Sequence, residues 1–312
     1  MILTVTANVA IDRTYVIDRL EVGKVHKVKQ AYAHTGGKGV NVSRCVKSLG
    51  GDTLVTGLIG RSGLDEAARD LAAAGLSSEL YAIDGPPRQT VTVTADDGVT
   101  TAFDERGPTI TEQVWTGFEQ HLASLLDRAE MLVIAGSLPP GTPEQSLANL
   151  CEHANRHQVP VVLDARGAAM RAAQNQKPLV TKLNRSELAQ TLGREITSEH
   201  DVIEGANELR ALGAGSVIVT LGEQGAIGVH ADAVWRVTHP VHEGNPIGAG
   251  DAFSAALALA LTNGTPFEQA LAQGAAAALA SLRAPTAGAL DPTDVEVAFA
   301  SIQTAELRGA AR

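Results

Sequence analysis

The chain has 312 residues, 44% of them hydrophobic and 19% charged, which is enough to bury a large core and excludes a disordered chain. Only 3% are aromatic, so aliphatic side chains must build that core. The net charge of −10 speaks against a nucleic-acid-binding surface, while leaving room for a local cationic pocket.

In chain order, Ile2–Val9 reads as a buried strand, and Arg13–His34 is polar and β-prone with no helical period. Val40–Leu49 has helical spacing, Thr53–Ile59 is a strand and Leu64–Ala74 a helix. Arg88–Phe103 carries a hairpin signature: Thr90-Val91-Thr92-Val93-Thr94 alternates, Asp96-Asp97-Gly98 turns, and Val99–Phe103 returns. Helical segments follow at Glu112–Leu126 and Glu144–His157, with strands at Met131–Ala135, Pro160–Leu163 and Leu179–Leu183. Ser186–Leu192 and Val202–Leu212 are helical, Ser216–Leu221 is a strand, and the small-residue run Ala252–Leu261 is a buried helix too short to span a bilayer. Thr142-Pro143 and Thr265-Pro266 predict threonine N-caps with proline at the first helical position, and Ser198 with Asp201 gives a weaker cap signal.

Apolar strands separated by helices predict an α/β fold with a mostly parallel sheet covered on both faces. The two segments outside this alternation, about 13–35 and 88–104, predict a small accessory β-sheet on a single domain spanning 1–312. Cys45 and Cys151 are expected to be reduced and buried, and with no basic leader or apolar signal segment the expected location is the cytoplasm.

Four constellations carry chemistry. Gly248-Ala249-Gly250-Asp251 precedes the helical run 252–261, where free backbone N–H groups and the helix dipole favour an anion. Asp251 there is either an N-terminal cap or a general base beside an anion hole. Gly36-Gly37-Lys38-Gly39-Val40-Asn41 combines close backbone approach with a cation and an amide; it is not a Walker loop, since glycine follows the lysine. Lys182-Leu183-Asn184-Arg185-Ser186-Glu187 ends a strand and opens a helix. Asn184 and Glu187 share a face, fitting either a hydrated Mg²⁺ or a capping box. Thr220, Gly222 and Gly225 follow a strand and suit a phosphate or an ordinary turn. His153 and His157 have metal spacing but sit among Glu152, Asn155 and Arg156 on a solvated face, and His239 and His242 lack a partner ligand.

In this order, the motifs resemble the ribokinase-like carbohydrate kinases, most of all the phosphofructokinase-B branch, which holds 1-phosphofructokinases, minor 6-phosphofructokinases and tagatose-6-phosphate kinases. The likeness begins at Thr4-Val5-Thr6-Ala7-Asn8-Val9-Ala10-Ile11-Asp12, includes Ala135-Gly136-Ser137-Leu138-Pro139-Pro140-Gly141 and the Arg88-led hairpin, and runs to about Pro292. It implies a three-layer α/β/α sandwich with a β-lid formed by 13–35 and 88–104. By the same resemblance Asp251 is the catalytic base, in a catalytic turn with Gly248, and the amides of Ala249, Gly250 and Asp251 form the anion hole. Asp12, Gly37, Lys38, Asn41, Arg88 and Ser137 hold the sugar phosphate. Lys182, Asn184, Thr220, Gly222 and Gly225 meet the nucleotide, and Asn184 with Glu187 organises Mg²⁺ through water.

The implied reaction transfers phosphate from ATP to a sugar phosphate, foremost fructose 1-phosphate, in a homodimer paired through the lid. Fructose 6-phosphate and tagatose 6-phosphate are the alternative acceptors, and a catalytically silent sugar-phosphate sensor is the alternative of another class. Lys38 and Arg88 anticipate an anionic substrate, which disfavours a nucleoside kinase. The sequence departs from the pattern at Thr90, where relatives carry asparagine; at Leu183, which replaces a proline; and at Asn245-Pro246, where ribokinases carry Asp-Thr.

Overall fold

The computed structural model describes residues 1–307 apart from Asp232, Glu243 and Pro285. From the N-terminus run β1 (Ile2–Thr6), β2 (Ala10–Ile17), β3 (Gln30–Gly36), α1 (Lys38–Ser48), β4 (Thr53–Gly60), α2 (Leu64–Ala73), β5 (Ser77–Ile83), β6 (Arg88–Ala95) and β7 (Thr100–Asp104). The middle of the chain supplies α3 (Glu112–Ala123), β8 (Met131–Ala135), α4 (Ser146–Arg156), β9 (Val161–Asp164), α5 (Gly167–Ala173), β10 (Val180–Asn184), α6 (Arg185–Leu192) and α7 (Glu199–Ala211). Then come β11 (Ser216–Thr220), β12 (Ala226–His230), β13 (Ala233–Thr238), α8 (Ala249–Thr262), α9 (Phe267–Ser281), α10 (Pro292–Phe299) and β14 (Gln303–Glu306).

The main sheet has the order β14-β13-β12-β11-β10-β9-β8-β1-β4-β5. Strands from β11 to β5 are parallel, and β12, β13 and β14 add an antiparallel edge. Every residue of β1, β8 and β9 is buried, and β8 and Val161–Leu163 of β9 are apolar throughout, because both faces of these strands are covered. Ile2, Met131, Val133 and Val162 pack towards α1, α8 and α9, whereas Leu3, Leu132, Ile134 and Leu163 pack towards Trp115 and Phe118 of α3 and the helices beyond. Cys45 and Cys151 are buried free thiols in these two opposite layers, and burial pushes each up to about 12.

The segments that broke the alternation do pair with one another. They form a second sheet of order β3-β2-β6-β7, in which β2 and β6 are parallel and the outer pairs antiparallel. Its register puts His34, Asp12, Thr90 and Asp104 in one transverse row, hence on one face.

The predicted helix starts need correction. Thr142 donates its hydroxyl to the Pro139 carbonyl at 2.6 Å, and α4 begins only at Ser146 with no side-chain cap. Pro266 has ψ 148° and is itself the residue before α9, so Thr265 caps nothing. The weaker signal is the complete one: Ser198 and Asp201 form a reciprocal capping box on α7. No described helix is long and apolar enough to cross a membrane.

Candidate active site

The carboxyl ends of neighbouring parallel strands meet along one edge of the main sheet. Asp164 ends β9, Asn184 ends β10 two residues after Lys182, Thr220 ends β11, and Gly136-Ser137 follow β8. The N-termini of α1, α6 and α8 open at the same edge, where open α/β sheets bind ligands.

Gly248 precedes α8 with φ +89°, a conformation glycine takes without strain, and a side chain there would strike Ala287. Asp251 is the third residue of α8 and only 5% exposed. Its Oδ2 accepts a hydrogen bond from Asn41 Nδ2 at 2.8 Å, so the Gly-rich entry to α1 and the entry to α8 are joined by one bond. Burial pushes the Asp251 carboxyl up to about 6; the Asp164 charge adds to this, while Lys38, Asn41 and Lys182 oppose it. Asn41 Oδ1 is buried, has no hydrogen-bond partner among the described residues, and is an acceptor that a ligand hydroxyl could fill. Among the three amides expected to form an anion hole, Ala249 and Asp251 donate to the Pro246 and Gly248 carbonyls at 3.2 and 3.0 Å. The Gly250 amide has no such backbone partner among the described residues.

Lys38 and Lys182 converge on Asp164. Lys182 Nζ lies 2.6 Å from Asp164 Oδ2, Lys38 Nζ lies 3.1 Å from Oδ1, and Ser254 of α8 donates to Oδ2 at 2.8 Å. Full burial opposes ionisation of Asp164, but the two ammonium groups outweigh it and hold the carboxyl well below its usual range. Asp164 in turn holds Lys38 above the usual lysine range, with burial opposing and Glu187 and Asp251 adding to the effect. Gly250 belongs to this arrangement too, because a side chain there would come within 3.2 Å of Lys182 Nζ.

Asn184 and Glu187 form a complete capping box at the start of α6, so the structural role anticipated for them is present. Asn184 Oδ1 accepts from the Glu187 amide at 2.9 Å and from Ser186 Oγ at 2.7 Å, which fills both its lone pairs. Glu187 Oε2 accepts from the Asn184 amide at 2.9 Å and Oε1 from Lys38 Nζ at 3.2 Å, leaving acceptor capacity on each oxygen. No group of three or more potential metal-ligating side chains occurs among the described residues. That donor set fits a Mg²⁺ that keeps its own waters and reaches Glu187 through them. With its oxygen occupied, exposed Asn184 offers N–H donors, which suit an anion better than a cation.

On the small sheet, Asp12 of β2 lies against Gly36, whose missing side chain makes room for its carboxylate. Burial pushes the Asp12 carboxyl up, opposed by His34, a Thr90 hydrogen bond and Arg88. Arg88 Nε donates to the Asn8 carbonyl at 3.0 Å and Nη1 to the Glu105 carbonyl at 3.3 Å, so part of its guanidinium fastens the hairpin to the main domain. Gly37 is the residue before α1, and Ser137 follows Gly136, which packs beside Lys38. Thr220 is the register partner of Asn184, placing the Thr220–Gly225 turn next to α6. Gly225 is required by packing, since a side chain there would run into the Val237 carbonyl of β13. Gly222 has φ +61° and faces open space.

The expectations drawn from sequence omit Asp164 and Ser254. The one local sign of Asp164 is a charged residue closing the apolar run Val161-Val162-Leu163.

A model of the family described as pfkB family carbohydrate kinase matches residues 5–294. Escherichia coli phosphofructokinase-2, solved in complex with fructose-6-phosphate, superposes with a TM-score of 0.87 at 26% identity, covering 96% of this chain and 98% of its own. A possible 1-phosphofructokinase from Thermotoga maritima gives a TM-score of 0.90 at 23% identity, with 99% and 100% covered. Arabidopsis thaliana ribokinase, complexed with ribose and ATP, gives 0.73 at 20% identity, with 95% and 98% covered. The last two likenesses establish the ribokinase-like fold alone.

Proposed function

The chain belongs to the pfkB family of carbohydrate kinases, and from that premise we propose that it transfers the γ-phosphoryl group of ATP to the C6 hydroxyl of fructose 1-phosphate. The observation that carries this reading is the meeting of Asp251, Asn41 and Lys38 at the α8 entrance, with a buried base, an open acceptor and a cation side by side. Asp12 and Asn41 would orient the sugar hydroxyls, Arg88 and Ser137 would take up its phosphate, and Lys38 would meet the phosphoryl group in transfer. Asp251 would accept the proton of the attacking hydroxyl as the oxygen bonds to the γ-phosphorus. The bond between that phosphorus and the ADP oxygen breaks, and its electron pair leaves with ADP. The Gly250 amide and the α8 dipole would steady the transferring group.

Lys182, the Asn184 carboxamide and the Thr220–Gly225 turn would hold the nucleotide phosphates. Mg²⁺, when bound, neutralises phosphate charge, and Glu187, which keeps free acceptor capacity, would hold it through water. The small sheet would act as a lid that excludes water as a competing acceptor. Tyr32, exposed on the same face of that sheet as Asp12, favours pairing of two lids in a homodimer. Intact Asp251, Asn184 and Glu187 weigh against a silent sensor. A second reading, fructose 6-phosphate as acceptor, is favoured by the likeness to a phosphofructokinase-2 that binds that sugar. Comparing kcat/KM for fructose, fructose 1-phosphate, fructose 6-phosphate and tagatose 6-phosphate decides between them. Fructose 1-phosphate should be the best acceptor; preference for unphosphorylated fructose would overturn the phosphosugar assignment.

A further inference from the structure

We propose that Asp164 is a positioning residue for phosphoryl transfer, dividing its two carboxylate oxygens between Lys38 and Lys182 and so fixing both ammonium groups beside the entrance of α8. This deepens the kinase reading and rests on it, but it concerns a side chain that touches neither substrate.

Asp164 has no solvent exposure, and everything its oxygens meet lies on a different element. Oδ1 faces Lys38 of α1 at 3.1 Å, and Oδ2 faces Lys182 of β10 at 2.6 Å and Ser254 of α8 at 2.8 Å. Ser254 also donates to the Gly250 carbonyl at 3.0 Å, so the same carboxylate is tied to the turn that carries Asp251. Neutralising a buried aspartate needs one lysine, and Lys182, itself 3% exposed, already does this. Lys38 is different. Its side chain is 38% exposed and could extend into solvent, yet it is drawn inward between Asp164 and Glu187. An incoming phosphoryl group can take the place of Glu187 as the second partner while Asp164 keeps its grip. The ammonium then arrives at the reacting phosphate already oriented, and most of its rotamer freedom has been lost beforehand.

The charge of Asp164 also acts on Asp251. The ionisable groups facing Asp251 are Asp164 from β9, Lys182 from β10, and Lys38 and Cys45 from α1. Removing the Asp164 charge leaves both lysines in place, so Asp251 should give up its proton at lower pH.

Asp164→Asn is isosteric and keeps an oxygen that can accept from Lys182 and Ser254. Asp164→Glu keeps the charge but displaces it. Each variant is tested by thermal melting, by kcat/KM for the best sugar phosphate, and by a ¹³C carboxyl titration of Asp251 assigned with an Asp251→Asn control. For Asp164→Asn, kcat/KM should fall roughly 100-fold, the scale of an ångström-sized misplacement. The Asp251 midpoint should also move down by about one pH unit. For Asp164→Glu, the midpoint should stay near that of the wild type while kcat/KM still falls about 10-fold or more. If Asp164 only neutralises buried charge, Asp164→Glu will keep kcat/KM within about threefold, and that result overturns the assignment. An Asp251 midpoint unmoved in folded Asp164→Asn overturns it equally. Should Asp164→Asn fail to fold, Asp164→Glu decides alone. The titration needs no substrate, so a wild-type protein inactive on every sugar phosphate would sink the kinase reading while leaving the Asp164 coupling measured.

Discussion

Asp251→Asn should separate catalysis from stability in opposite directions. The Asp251 carboxyl is displaced from 3.8 to about 6, chiefly by burial. Between those values the folded state holds a proton that the unfolded chain has lost, so stability falls as pH rises through this window. Above pH 6 the ionised carboxylate costs the full difference, about 3 kcal/mol for a displacement of roughly two units. Asparagine removes that cost and can still accept the Asn41 bond through its carbonyl oxygen. In urea melts, the variant should therefore exceed the wild type by about 3 kcal/mol at pH 8, with the gap shrinking to about 1 kcal/mol at pH 4.5. Turnover should move the other way: kcat should drop by roughly 10²–10⁴-fold, the usual worth of a general base. Wild-type kcat/KM should fall about tenfold per pH unit below pH 6, as Asp251 takes up its proton. A stability gap that is equal at both pH values would show that no ionisation is buried there, and near-wild-type turnover would remove Asp251 from the chemistry.

Glu187→Gln should raise the Mg²⁺ concentration needed for half-maximal rate, because it deletes a charge while the amide oxygen can still accept from the Asn184 backbone. An unchanged metal titration with a lower melting temperature would reduce Glu187 to a cap. Arg88→Ala should raise KM for the sugar phosphate much more than for ATP. Since its guanidinium also reaches the Asn8 and Glu105 carbonyls, a fall in melting temperature with both KM values unchanged would mark it as a fastening of the small sheet.

The parallel strands were legible because burial on two faces demands continuous apolar runs: Met131–Ala135 was placed to the residue. The antiparallel edge was not. Gln303–Glu306 is wholly exposed and joins β13 through backbone bonds, so its side chains carry no strand signal. A Thr-Pro pair marks a helix start poorly here, because Pro266 has the φ that a first helical residue needs but not the ψ. Within the site, what a local motif can encode was readable: Gly248–Asp251, Gly36–Asn41 and the Asn184–Glu187 box are short runs bound to a helix start. Asp164 has no such run. Its meaning comes from Lys38, 126 residues before it, and from Ser254, 90 residues after, which only the fold brings together.

That non-local cluster also bears on how a chain of net charge −10 would receive the two anionic substrates proposed for it. Three carboxylates, Asp164, Glu187 and Asp251, stand beside two ammonium groups, so with all ionised the cluster itself is not cationic. Attraction for phosphate must come from geometry. Asp164 gives one oxygen to Lys182 and Ser254 and the other to Lys38, Glu187 is tied to the backbone of Asn184, and the partly exposed Lys38 ammonium and the Gly250 amide stand at the α8 entrance. A proton on Asp251 below pH 6 would make the same cluster neutral. For a phosphate of fixed charge, affinity should therefore rise as Asp251 takes up its proton, opposed by the phosphate's own second ionisation at about pH 6, and the Asp251 midpoint is set by its burial beside Asp164.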